Sequence, residues 1–344
     1  GGDPYRVTGA GDDGESALFG ALNSGKRSVA IDFDDETDRE FLASLIAVAD
    51  VFVENSRPGS LTRHGLDHDS LCREFPSLVY ASISAFGDAG PERTKGGFDL
   101  VLQAETGVMS VTGHSSSGPA KMGLPFLDIG AGISCLAAIL AALIERARTG
   151  MGAHVTASLF EFGLAGFTTQ VDAILRDGTV PGLLGSHSPS FAPYGSFQCD
   201  DRCIILAGSG SDELWLRLCE VLGARSLSDD ERFRTNADRL EHRDELTEAI
   251  EACLSAASAD QWLDRLAAAG VPAGEVRTAR EALLSEQAVA LGSVYERGTE
   301  RSPYWNVAAP FRIGGETLVS PSAAPVLGAD NQSLADRVTG IEDT

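Results

Sequence analysis

The sequence predicts an α/β fold, a Rossmann-like large domain joined to a smaller α+β domain. Three observations carry this. Short runs rich in β-branched and aromatic residues alternate with an amphipathic helical pattern over residues 1–160. Gly178, Pro181, Gly182 and Gly185 punctuate residues 161–190 as a linker would. Beyond them a hairpin pattern gives way to helical periodicity. At 344 residues the chain has room for two compact units. The signals divide it into a large domain 1–160, a linker 161–190, a small α+β domain 191–290, and a segment 291–344 that returns to pack on the large domain.

Taken in order, the chain opens in a glycine-rich, irregular stretch through Gly20, where such a fold ordinarily begins with a strand and its crossover helix. Ser28-Val-Ala-Ile-Asp-Phe33 reads as a strand, Glu36 to Ala49 as an amphipathic helix and Val51-Phe-Val-Glu54 as a second strand. Leu78-Val-Tyr-Ala-Ser-Ile-Ser84 is a third, a nearly continuous apolar run of the kind buried on both faces of a parallel sheet. Ile133 to Ile144, apolar but for Ser134, falls short of the ~20 residues a spanning helix requires, and Glu145-Arg146 closes it, so it reads as a buried core helix. Tyr194-Gly-Ser-Phe-Gln198 and Cys203-Ile-Ile-Leu-Ala207 read as a hairpin turning through Asp200-Asp201-Arg202. Helices follow over Ser211 to Leu222, Arg239 to Ala256 and Ala259 to Ala269, the last stopped by Gly270 and Pro272. Phe311 to Val319 reads as a short hairpin.

A formal charge of −23 repels phosphate backbones and anionic lipid, which sets nucleic acid and membrane surfaces aside as partners. An acidic protein that takes a polyanionic ligand must gather its cations locally. The three lysines, Lys26, Lys95 and Lys121, all fall in the first 121 residues. Six cysteines lie scattered, and Cys199-x-x-x-Cys203 has no second ligand pair nearby, so reduced thiols are expected and no metal site. The opening Gly1-Gly-Asp-Pro4 lacks the basic and apolar regions of a signal peptide, and the expected location is cytoplasmic.

Asp128 stands out as a candidate nucleophile. Leu124-Pro-Phe-Leu-Asp128-Ile-Gly-Ala-Gly132 puts a carboxylate at a helix start, where unpaired amides hold negative charge. An aspartate there is also a common N-cap, and from the residues alone the capping role is the commoner one. Val53-Glu-Asn55-Ser-Arg57-Pro-Gly59, with Arg63 beyond it, ends a strand where ligands of open α/β sheets bind, and arginine supplies a phosphate fork. Asn23-Ser-Gly-Lys26-Arg27 is a similar turn; it precedes a strand and not a helix, which excludes a Walker loop. No Gly-x-Ser-x-Gly elbow occurs.

These segments, in order, resemble the class III CoA-transferase family, which includes formyl-CoA transferase, carnitine CoA-transferase and alpha-methylacyl-CoA racemase. The carriers are Gly1-Gly-Asp-Pro4, Asn23-Ser-Gly-Lys-Arg-Ser-Val-Ala-Ile-Asp32, Val51-Phe-Val-Glu-Asn-Ser-Arg-Pro-Gly59, Ser82-Ile-Ser-Ala-Phe-Gly87 with Gly90-Pro91, Gly96-Gly-Phe-Asp99, Gln103-Ala104, Thr112-Gly113, Asp128 and Arg148-Thr-Gly150. Downstream, Ala192-Pro-Tyr-Gly-Ser-Phe197, Arg232-Phe-x-Thr-Asn236 and Pro325-x-Leu-Gly328 continue the match.

The resemblance implies that Asp128 attacks an acyl-CoA thioester and carries CoA to a carboxylic acid acceptor through covalent aspartyl intermediates. It implies that Asp99 supports it, and that Asn23, Lys26, Asn55, Arg57, Arg63 and Lys95 contact CoA, with acyl-CoA as substrate and no metal. The racemase branch pairs an Asp with a His that falls at Phe98, and phenylalanine exchanges no proton, so the residues favour transfer over racemisation. A non-catalytic acyl-CoA-binding protein is the alternative from another class. The resemblance further implies an interlocked homodimer and one more βα unit ahead of Gly1. In relatives a glycine-rich loop shields the intermediate; the corresponding Gly185-Ser-His187-Ser-Pro-Ser-Phe-Ala-Pro193 has fewer glycines, and His187 is the residue expected to face the acid. Oxalate, carnitine, a dicarboxylate such as succinate or mesaconate, and an aromatic acid are the acceptors left open.

Overall fold

A computed structural model describes residues 2–9, 16–298 and 303–340. The chain divides into two compact units, one formed by Gly1–Phe52 with Arg277–Thr344, the other by Val53–Val276.

The second unit carries the candidate catalytic residues, and its parallel sheet positions them. Strands β1 (Val51–Glu54), which enters it from the unit boundary, β2 (Val79–Ser84) and β3 (His154–Ser158) lie in the order β1-β2-β3. β2 and β3 run parallel, with Tyr80 opposite His154 and Ser84 opposite Ser158. Side chains alternate across such strands. Ala81 and Ile83 of β2 and Val155 and Ala157 of β3 therefore face one way, into a cluster with Cys135 and Ile139. The run Leu78 to Ser84 is thus not apolar on both faces: Tyr80, Ser82 and Ser84 share the opposite, polar face with His154 and Thr156. A period of two was present in the sequence, hidden by the small and aromatic residues between the serines.

Helix α1 (Asp99–Glu105) precedes the long helix α2 (Phe126–Thr149), and α3 (Leu159–Ala165) follows β3 directly. Gly150 ends α2 in the left-handed conformation, φ 75°, that a helix C-terminus takes most readily at glycine. Gly130 permits a close approach, because a Cβ built there would lie 2.0 Å from the Phe162 ring of α3. The apolar run expected to be a buried core helix buries one face only. Small residues, Gly130, Ala131, Cys135 and Ala142, turn inward, while Ile129, Ile133, Leu136, Leu140 and Ile144 stand 46% to 68% exposed. Among the described residues α2 is the one helix long and apolar enough, by length and composition, to cross a membrane.

The same unit holds an antiparallel sheet in which β4 (Tyr194–Gln198) pairs with β5 (Cys203–Ala207), and β5 with β6 (Ala273–Glu275). Helices Asp212–Val221, Arg243–Leu254 and Ala259–Ala268 supply Trp215, Leu218, Ile250, Leu254, Trp262 and Leu266 to one core with Phe197, Ile204 and Leu206. The helix expected over Arg239 to Ala256 breaks at His242 into Asn236–Glu241 and Arg243–Leu254. Arg239 of the shorter helix is 1% exposed, and its guanidinium donates to the carbonyls of Ala192 at 2.7 Å, Phe233 at 3.0 Å and Arg234 at 3.2 Å.

In the first unit, helices Ala17–Asn23, Glu36–Ala47 and Asn331–Thr339 accompany a hairpin of Val294–Gly298 with Pro303–Val307. Arg312–Ile313 and Glu316–Thr317 form the short hairpin expected near there. Ser28 to Phe33 is not a strand. Side chains occupy the backbone groups a neighbouring strand would have taken: Ser28 N–H donates to Asp330 Oδ2 at 2.8 Å, and Ala30 N–H donates to Asn331 Oδ1 at 2.9 Å while its carbonyl accepts from Asn331 Nδ2 at 2.8 Å.

Candidate active site

Two carboxylates meet at the start of α2. Pro125 stands at the N-cap position and offers no side-chain acceptor, so the first amides of the helix need one from elsewhere. Asp99, the first residue of α1, provides it: its Oδ2 accepts from Leu127 N–H at 2.8 Å and from Asp128 N–H at 3.3 Å. Asp128 is therefore not the cap. It lies in the first turn, next to the capping carboxylate, and makes no side-chain hydrogen bond among the described residues.

Leu127, fully buried with Phe86, Leu102, Ala131 and Leu159, anchors the turn beneath it. Partial burial, then the like charge of Asp99, hold the Asp128 carboxyl above the ordinary aspartate range. Around the pair the surface is apolar: Phe98, 83% exposed, precedes Asp99, and Leu124, Phe126 and Ile129 flank Asp128. Gln103 of α1, which is 1% exposed, was noted only as part of a motif; it accepts from Met122 N–H at 2.8 Å through Oε1 and donates through Nε2 to Asp99 Oδ1.

Lys95 sits between Glu92, at 3.1 Å, and Glu105, at 2.8 Å, with its ammonium 4.6 Å from the centre of the Phe86 ring. Those hydrogen bonds, Glu105 first, raise its pKa and keep it charged.

Beside β1 and β2 lies a cavity of about 430 Å³ lined by Arg57, Pro58, Gly59 and Thr62 from the turn after β1, by Ser82, Ser84, His154 and Thr156 from the polar sheet face, and by Arg93. Arg57 is thus placed in a cavity at a strand end, where such sheets bind ligands. Asn55 and Arg63 are exposed neighbours in the same turn, and Arg63 Nε donates to His64 Nε2 at 2.8 Å. Asn23 and Lys26 belong to the first unit, where Lys26 Nζ donates to Asn23 Oδ1 at 2.9 Å.

Sequence reasoning did not single out the aromatic cluster in that cavity. His68 and His154 stack with ring centres 4.1 Å apart, and Tyr80 meets His154 edge-on at 5.4 Å. His154 Nε2 shares a 3.0 Å hydrogen bond with Ser82 Oγ. Burial first, and the neighbouring His68 second, push the His154 pKa down, favouring the neutral ring. The polar alternation of β2 was the one signal that could have found it.

His187 packs edge-on against Phe197 at 5.6 Å and fills the space over Gly195, where a Cβ would lie 2.4 Å from Nδ1. The glycine-poor stretch it belongs to is tied down instead: Gly185 N–H donates to the Gly113 carbonyl at 2.8 Å, and Leu184 bridges His114. Among the described residues no group of three or more His, Cys, Asp or Glu is arranged to hold a metal ion.

Residues 1–331 match the model of CoA-transferase family III. The acetyl-CoA:oxalate CoA-transferase of Acetobacter aceti is 35% identical over 91% of this chain and 80% of its own length. The succinate–glutarate CoA-transferase of Agrobacterium fabrum is 34% identical over 100% of this chain and 86% of its own. Among solved structures, a CaiB/BaiF family protein from Brucella suis superposes with a TM-score of 0.79 at 34% identity, covering 94% of this chain and 84% of that one. A mixed α/β fold, an Asp pair at a helix start and these matches lead to one assignment: the chain belongs to the class III CoA-transferase family and is a CoA-transferase acting on CoA thioesters.

Proposed function

We propose that the enzyme moves CoA from an acyl-CoA donor to a carboxylic acid acceptor through covalent intermediates on Asp128. The placement of Asp128 carries this reading: a carboxylate in the first turn of α2 with no side-chain hydrogen bond among the described residues, its basicity raised, with an apolar surround. A carboxylate oxygen of Asp128 attacks the donor thioester carbonyl; a C–O bond forms, the C–S bond breaks and CoA leaves as the thiolate. The thiolate then attacks the aspartyl carbonyl of this anhydride, expelling the donor acid as its carboxylate and leaving CoA in thioester linkage to Asp128. The acceptor carboxylate repeats the first step on that thioester, and the returning thiolate takes the acceptor acyl carbon and frees Asp128. Each step exchanges one nucleophile for one leaving group, so no net proton is consumed. Phe98, Leu124, Phe126 and Ile129 supply an apolar rim that, once covered, keeps water from the anhydride.

Asn23, Lys26, Asn55, Arg57, Arg63 and Lys95 are the proposed contacts to CoA, with the Arg57 cavity taking part of it. Lys95 exchanges its two carboxylates for the ligand in this reading. Both curated relatives described above are named for dicarboxylates, which supports a small dicarboxylic acid as acceptor. The exposed stripe of α2 supports a homodimer, since a large apolar stripe is ordinarily covered by a partner. A cytoplasmic site is part of the same proposal, supported by six cysteines present as free thiols.

Intact-protein mass spectrometry after incubation with acetyl-CoA, succinyl-CoA and oxalyl-CoA tests the mechanism. An acyl or CoA adduct is expected on the wild type and not on Asp128→Asn. CoA binding with no adduct from any donor would turn the reading toward a non-catalytic acyl-CoA-binding protein.

A further inference from the structure

We propose that Gln103 is a positioning residue that sets the ionisation of Asp128 by holding Asp99 in place at the start of α2. The proposal rests on Asp128 being the nucleophile and deepens that reading.

The orientation of the Gln103 amide is fixed by its partners. Met122 N–H is a donor, so the group facing it must be Oε1, and Nε2 is left to donate to Asp99 Oδ1. Gln103 is 1% exposed, so neither bond is shared with bulk water. Asp99 is thereby gripped at both oxygens, Oδ1 by Gln103 and Oδ2 by the amides of Leu127 and Asp128. One carboxylate thus caps a helix that supplies no cap of its own and stands against the nucleophile.

Of the elements packed against α2, α1 brings Asp99 and also Glu105, which is engaged by Lys95. α3 brings Glu161, which accepts the Ser158 hydroxyl. β2 and β3 turn apolar residues to α2 and carry Tyr80 and His154 on the other face. Asp99 is the charge that acts on Asp128. Its effect suits the chemistry: acylation removes the Asp128 charge, relieves the repulsion and favours the covalent form over the free enzyme.

The test reads Asp128 in the free protein by carbon-13 carboxyl NMR, with its resonance assigned by its loss in Asp128→Asn. Asp99→Asn is expected to lower the Asp128 titration midpoint. Gln103→Met, close to glutamine in volume, is expected to lower it part of the way, and Asp99→Asn with Gln103→Met to lower it no further than Asp99→Asn alone. Gln103→Glu keeps an acceptor for Met122 N–H and can share one proton with Asp99, so its midpoint should stay at or above that of the wild type. This variant keeps the proposal testable if Gln103→Met does not fold. An unmoved midpoint in Gln103→Met, full additivity in the double variant, or a lowered midpoint in Gln103→Glu would overturn the proposal. Because the titration needs no substrate, its outcome is separate from the adduct experiment: a missing adduct sinks the nucleophile reading, an unmoved midpoint sinks the role of Gln103.

Discussion

At the scale of single residues, Asp128 carries a cost that the fold tolerates for its position. Its folded pKa lies above the unfolded value, because partial burial and Asp99 both disfavour the anion. The folded state therefore holds the proton more tightly than the unfolded one, and stability contributed at Asp128 is lost as pH rises through the folded pKa. Asp128→Asn is expected to melt higher than the wild type at neutral pH, with the advantage shrinking as pH falls below that pKa; parallel melting curves from pH 4 to pH 8 give the comparison. A higher Asp128→Asn melting point that did not depend on pH would assign the gain to something other than charge. Asp128 itself was legible in the sequence as a carboxylate at a helix start, because proline and glycine frame that start. Its geometry was not. Capping by Asp99 joins residues 28 positions apart in sequence, and nothing local marks which of the two aspartates caps and which is left unpartnered. The packing of His187 was out of reach for a similar reason, since the bare backbone of Gly195 beneath it lies on a strand further along the chain.

Among elements, helix α2 was legible as apolar but misread as buried. Periodicity reports which residues share a face, not whether the large or the small face turns inward. Gly130, Ala131, Cys135 and Ala142 turn toward the sheet and α3, so the contact is close and the bulky stripe is left outside. Gly130→Ala tests this closeness by opposing two effects. Alanine improves helix propensity by about 1 kcal/mol over glycine, but its Cβ would meet the Phe162 ring at 2.0 Å, and overpacking of this kind costs about 1–3 kcal/mol. The clash is expected to win, with a lower urea midpoint in Gly130→Ala; a higher midpoint would mean that α2 and α3 separate freely. The hairpin of β4 and β5 was read correctly because its turn and its alternation are both local. β6 was missed because only three residues carry it. The strand expected over Ser28 to Phe33 had the right composition, yet two side chains near residue 330 took its hydrogen bonds, a competition invisible from within the segment.

For the molecule as a whole, the proposed homodimer makes the exposed stripe of α2 its natural point of test. Ile133→Glu with Leu140→Glu puts two charges on that stripe without touching its buried face. Sedimentation should show a dimer for the wild type at micromolar concentration and a monomer for the double variant, with the melting temperature little changed. A monomeric wild type would remove the homodimer from the proposal and leave the stripe to some other cover.

The hydrogen bonds from Asp330 and Asn331 to Ser28 and Ala30 also bear on the order of events during synthesis. Some 300 residues separate the partners, and translation at roughly 5–20 residues per second puts about 15–60 seconds between their appearances. Until residues 330 and 331 are made, the backbone groups of Ser28 and Ala30 lack the side chains that hold them in the folded protein.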